Sequence, residues 1–127
     1  MKLTGKCRED FEKWFMSSDV FNLNFLHLQN IQVFDRTKHF YKYPNSMQYG
    51  VYVDFFDSVD INITEIPHWE KGIKYFRIGL HILKGGFIDS LFIRPKENRF
   101  KFVEFTSRPQ ARNAAIEKAN EIHNSKG

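Results

Sequence analysis

The sequence predicts an α+β fold: a single domain over residues 1–127, with an antiparallel sheet of three to five strands packed by two or three helices. Three observations predict it. Residues 45–59 carry sustained helical periodicity. Phe76, Ile78, Leu80 and Ile82 alternate with Tyr75, Arg77, Gly79 and His81 ahead of Gly85-Gly86, the pattern of a β-hairpin. Finally, Ala111, Ala115, Ala119 and Ile122 repeat at helical spacing after a capping signal.

Taken in order, Thr4–Ser17 reads as a helix with Thr4 as N-cap and Leu3, Cys7, Phe11, Trp14 and Phe15 on its buried face. Between Val20 and Tyr43 the pattern is weaker. Phe21, Leu23 and Phe25 alternate with polar residues as in a strand, Gln29-Asn30 can turn it, and Ile31–Phe34 can return. The helix after Pro44 has Asn45 or Ser46 to cap it. Met47, Val51, Phe55 and Val59 form its apolar side, widened by Tyr52 and Phe56, with Gly50, Asp54 and Asp57 opposite.

A short strand over residues 61–66 is expected to end before Pro67, with a loop over residues 67–72. If Lys84 pairs with Phe87 across Gly85-Gly86, then Leu80 faces Leu91 and Ile78 faces Ile93. Residues 95–98 read as a turn and Phe100–Phe105 as a further strand. The last helix opens at Ser107, which with Gln110 matches a capping box, with Pro109 in the first turn. Residues 123–127 are expected to fray.

The composition sets limits on function. Aromatics make up 17% of the chain, with fourteen Phe, which argues against disorder. A net charge of +4 permits an acidic partner without demanding one. The single Cys7 excludes an internal disulfide and points to a reducing, cytoplasmic setting. The N-terminus turns polar at once, unlike a signal peptide, and no apolar run is long enough to cross a membrane.

No catalytic residue, cofactor or metal ion is expected. Asp54, Asp57, Asp60 and Glu65 could share a magnesium ion, but they read more simply as a solvated acidic face. The histidines at 27, 39, 68, 81 and 123 lack zinc-site spacing. Cys7 reads as a small buried hydrophobe. Three groups remain as candidate surfaces for nucleic acid or a protein partner. Arg36, Lys38, Tyr41 and Lys42 interleave cations with rings, as phosphates and bases require, although a loop that tucks its rings under the domain while its charges stay wet fits better. Tyr75, Arg77, His81, Phe92 and Arg94 share the mixed face of the hairpin, although with fourteen Phe to bury the simpler expectation is that a helix covers this face and Phe92 is core. Arg108 and Arg112 lie one turn apart at the start of the last helix, where they could meet phosphates or an acidic protein surface.

Three blocks carry a resemblance: Met1–Lys6 with Phe11–Trp14, then Ser46–Val59, then Ala111–Ile122. Together they resemble a group of short, uncharacterised accessory proteins of Bacteroidetes phages and prophages. The chain departs from that group in being longer over residues 20–43 and in having Asp60 where the group has Gly. The resemblance implies a non-enzymatic protein of a mobile element, acting in the host cytoplasm on a host protein. Its most concrete form is an inhibitor of a bacterial defence system, such as an anti-CRISPR protein. A second likeness is to double-stranded-RNA-binding domains, in the order of three strands followed by a helix beginning Ser107-Arg108-Pro109-Gln110-Ala111-Arg112. It implies phosphate contacts from the basic residues of that helix. Here Pro109 replaces a Lys, and the first hairpin lacks the Pro-His that those domains carry.

Overall fold

The computed structural model describes residues 1–17, 36–93 and 104–126. Within them the order is α1 (Gly5–Phe15), α2 (Arg36–Phe40), α3 (Asn45–Ser58), β1 (Ile61–Glu70), β2 (Ile73–Lys84), β3 (Phe87–Phe92) and α4 (Arg108–Ser125). The three strands form one antiparallel sheet in the order β1-β2-β3. This is the expected α+β domain. The strand readings at Phe21–Phe34 and the turn at residues 95–98 lie outside the described residues.

The hairpin register follows from its turn. Gly85 and Gly86 both have positive φ, 53° and 90°, and Lys84 pairs with Phe87. Leu80 then faces Leu91, and the Ile93 N–H reaches the Ile78 carbonyl at 3.2 Å. Extending that register would bring position 95 opposite Phe76. Phe105 stands there instead, ten positions later, exchanging both backbone hydrogen bonds with Phe76 at 2.9 Å.

Two differences from the sequence reading have clear causes. The first strand does not stop at Pro67 but runs on to Glu70, turning at Lys71-Gly72. Pro67 is tolerated because both polar backbone atoms of its partner Phe76 point away from β1, toward Phe105. At such a pair the edge strand directs its own N–H outward, where a proline loses no ladder bond. In α3 the buried residues are Gln48, Tyr49, Tyr52, Phe55 and Phe56, so the buried face is turned from the expected one and Met47 is exposed. Gln48 can be buried because its Nε2 donates to the carbonyls of Tyr41 and Tyr43, at 3.1 and 2.9 Å.

Ile61, Ile63, Phe76, Ile78, Leu80 and Ile82 form the inner face of the sheet, covered by α3 and α4, with α1 packed on both helices. Beneath the helices lies an aromatic cluster centred on Phe11, whose ring meets Phe15, Phe40, Tyr52 and Phe55 at centroid distances of 4.9–5.8 Å. Ala111, Ala115 and Ala119 are fully buried, and their small size lets α4 approach the rest of the core closely.

The last residues of α4 do not fray. Thr4, expected to cap α1 with its own side chain, makes no such bond. Instead Asn124 Oδ1 accepts from the Cys7 N–H at 2.8 Å, Asn124 Nδ2 donates to the Thr4 carbonyl, and Asn120 Oδ1 accepts from the Thr4 N–H at 2.9 Å. Residues of α4 thus satisfy two of the donors at the start of α1, the N–H groups of Thr4 and Cys7. Gly5 turns with φ 58° just where a Cβ would stand 3.3 Å from Asn124 Oδ1. At the start of α4, Ser107 accepts from the Gln110 N–H, while the Gln110 side chain accepts from Thr106 rather than completing the box. Asp60 takes φ 65°, the left-handed conformation a glycine would adopt there.

Candidate functional surface

The outer face of the sheet carries Asn62, Thr64, Ile66 and His68 from β1, Tyr75, Arg77, Gly79, His81 and Leu83 from β2, and Ile88, Ser90 and Phe92 from β3. Among the described residues no helix covers it. Gly79 is buried on this face because the Phe92 ring lies across it, 3.2 Å from where a Cβ would stand.

The candidate residues fall into three separate places. On the outer face, Arg77 binds Glu104 through Nε at 3.1 Å and also through Nη2, so its charge is answered within the fold. His81 Nδ1 meets Ser90 Oγ at 2.7 Å, and Tyr75 is half-buried beside them. Arg94 lies outside the described residues. The basic-aromatic stretch keeps its cations outward and its rings inward. Lys38 and Lys42 are exposed, Arg36 is partly buried, and Tyr41 packs on Phe40, gives its hydroxyl hydrogen to Glu12 at 2.9 Å and has Arg8 over its ring. One face of the Tyr41 ring is therefore taken by Arg8.

The two arginines of α4 are also divided. Arg112 donates through Nε to Glu65 at 3.0 Å and lies 4.7 Å over the Tyr49 ring. Arg108 is exposed, its guanidinium 5.1 Å from the Phe76 centroid. Arg112 thus holds helix to sheet, and of this pair Arg108 alone faces solvent.

Two features were not read from the sequence. The first is the end of the β2–β3 hairpin, where Leu83, Phe87 and Ile88 are 47%, 81% and 70% exposed. Leu83 pairs with Ile88 on the outer face, and these two line an open cleft of about 240 Å³ with His81, Asn62, Asp57 and Asp60. The signal was in the chain. Ile82-Leu83 and Phe87-Ile88 are adjacent apolar pairs, and in a strand each such pair must send one side chain to each face. The second is a group of possible metal ligands, His68, Glu70 and Glu104, with donor atoms within 4.8 Å of one another. Glu104 is already held by Arg77, so a cation would have to share it with a guanidinium. Only the pairing of β1 and residue 104 with β2 brings these together, which no local motif reveals.

The described titratable groups show the marks of burial rather than of activation. Burial pushes the Cys7 thiol up to about 12, with Asp10 adding to the effect, so it stays protonated. Burial likewise raises the Tyr49 hydroxyl to about 12, with Glu65 adding and Arg112 opposing. Asp10 is held below its ordinary value, chiefly by the hydrogen bond from His123.

These features define an α+β domain with one sheet face that no described helix covers. Compared with known proteins, the chain matches no family model, no curated protein and no solved structure. Among the described residues no helix is long and apolar enough to cross a membrane.

Proposed function

We propose that this protein acts by binding another protein, not by turnover, and that it docks through the outer sheet face at the β2–β3 hairpin. The observation that carries the reading is the exposed apolar pair Leu83 and Ile88 on that face. Side chains of this size left in water on a short hairpin fit an interface core better than a free surface. Asp57 and Asp60 flank the Leu83–Ile88 pair, so the surface suits a partner that sets an apolar anchor beside a Lys or Arg. In the setting implied by the phage-like resemblance, the partner is a host protein in the cytoplasm, and a component of a defence system is its most concrete form.

The test compares the wild type with a Leu83→Asp/Ile88→Asp double variant in affinity capture from a phage-sensitive host, with circular dichroism as the check on folding. A specific protein retained by the wild type and lost by the folded double variant supports the reading. Equal capture by both removes this face from the interface. The rival nucleic-acid reading is tested beside it by titrating labelled duplex RNA, duplex DNA and single strands at low and high salt. Binding that falls steeply with salt and weakens in Arg108→Ala would replace the protein-partner reading.

A further inference from the structure

The outer sheet face gathers three metal-ligating side chains near the start of β2. His68 and Glu70 stand two residues apart on β1 and so project from the same face. Phe105 pairs with Phe76 on the other flank of β2, which places Glu104 on that face too, against Arg77. From these two flanks the side chains converge over β2 until one donor atom from each lies within 4.8 Å of the others. The His68 and Glu104 side chains are 35% and 24% exposed and Glu70 is exposed, so solutes reach the group.

The fold leaves these donors available. His68 Nε2 stands 3.7 Å from Glu104 Oε1, too long for a hydrogen bond and close to the about 3.3–3.5 Å between two donors on one tetrahedral zinc ion. Among the described residues none pairs with the Glu70 carboxylate. Arg77 binds Glu104 through Nε and Nη2, and both bonds end on Oε1. Oε2 therefore keeps its lone pairs, while the guanidinium fixes the plane of the carboxylate, as outer partners of metal-bound carboxylates do. The charges suit a dication. Two carboxylates converge and Arg77 answers one, which leaves the other for a cation. Bringing all three donors onto one ion needs a shift of about 1–1.5 Å, within the rotation open to the exposed Glu70 side chain.

The donor set also selects among metals. An imidazole nitrogen with two carboxylate oxygens suits zinc and its transition-metal neighbours, whereas magnesium and calcium prefer oxygen alone. Three protein ligands leave the fourth position of a tetrahedral ion to water. We infer that His68, Glu70 and Glu104 bind one divalent transition-metal ion, for which zinc is the best match, with Arg77 orienting Glu104. The inference is independent of the protein-docking proposal, because the Leu83–Ile88 pair lies at the opposite end of β2.

The experiment titrates the full chain, first stripped with a chelator, with zinc, manganese, magnesium and calcium ions by calorimetry. Zinc is expected to bind at one site with a Kd of about 10 µM or tighter, and magnesium and calcium at least about 100-fold more weakly. His68→Ala and Glu70→Gln should each weaken zinc about tenfold or more with the circular dichroism unchanged. His39→Ala, at an exposed position on α2, should bind like the wild type. Zinc should raise the melting midpoint of the wild type and leave that of His68→Ala where it was. Absence of saturation below 1 mM, on the order of the weakest specific affinities, overturns the inference. So does zinc binding that survives both site variants, or that falls equally in His39→Ala, since either places the ion elsewhere. Magnesium binding as tight as zinc would reduce the group to a patch of negative charge and would overturn it as well.

Discussion

Arg112 and Glu65 join the last helix to the edge of the sheet, with Nε and Oε1 3.0 Å apart and the guanidinium lying over Tyr49. Both side chains are about three-quarters shielded from water, at 24% and 21% exposure. The pair is therefore a strut between layers. Arg112→Ala should destabilise the protein by about 1–3 kcal/mol, since it strands a shielded carboxylate and removes the stacked cation. Arg108→Ala, at an exposed position, should change stability by less than about 1 kcal/mol. Urea denaturation of both variants checks the contrast, and equal losses would refute it.

Phe11 sits at the centre of the aromatic cluster, so Phe11→Ala opens a cavity that the rings of Phe15, Phe40, Tyr52 and Phe55 cannot all close. The expected cost is about 3–5 kcal/mol, a large share of the stability of a domain this size. Phe11→Leu should cost distinctly less. A midpoint in denaturant that barely moves for the alanine variant would contradict this account.

Cys7 should be silent toward thiol reagents in the native state. It is fully buried, and burial raises its pKa to about 12, so thiolate is scarce at neutral pH. Reaction with a chromogenic disulfide reagent should follow unfolding, rising with denaturant along the same transition as circular dichroism. Rapid labelling of the folded protein would show that α1 opens locally.

Acid should weaken the contact between α1 and α4. A carboxylate only accepts, so His123 Nε2–H is the donor to Asp10 Oδ2 across 2.8 Å. This bond, with help from Lys6, holds the Asp10 carboxyl below its ordinary 3.8. A lowered folded value means that the stabilisation is complete above the ordinary value and disappears as pH falls through the folded one. Asp10→Asn should therefore be less stable than the wild type at pH 6, and the difference should shrink by pH 3. A gap that stays constant across that window would assign the stability to packing instead.

The hairpin was legible because its evidence is local: two glycines set the turn, alternation sets the faces, and register then follows pair by pair. The strand through Pro67 was not, because whether a proline breaks a strand depends on which edge its nitrogen faces, and that is decided by Phe76 and Phe105. In α3 the apolar pattern allowed two neighbouring faces. Gln48 decided between them, through carbonyls that only the folded turn at Tyr41–Tyr43 presents. Of the candidate site, the residue types were visible and their engagements were not. Arg77 meets Glu104, Arg112 meets Glu65 and Tyr41 meets Glu12, each across a sequence gap that periodicity cannot bridge. The exposed pair Leu83 and Ile88 was within reach, through the doubled apolar residues in a strand with two faces.

The bonds from Asn120 and Asn124 to the first turn of α1 have a consequence for synthesis. Helix α1 leaves the ribosome before α4, and the acceptor for its Cys7 N–H is made 117 residues later. At about 5–20 residues per second, the nascent chain spends several seconds with that turn uncapped and Phe11 and Phe15 without their full surroundings. The first turn of α1 thus gains its partners only once α4 has been made. A ribosome stalled shortly before Asn120 would hold a sticky intermediate, a natural client for a chaperone that recognises exposed aromatic side chains.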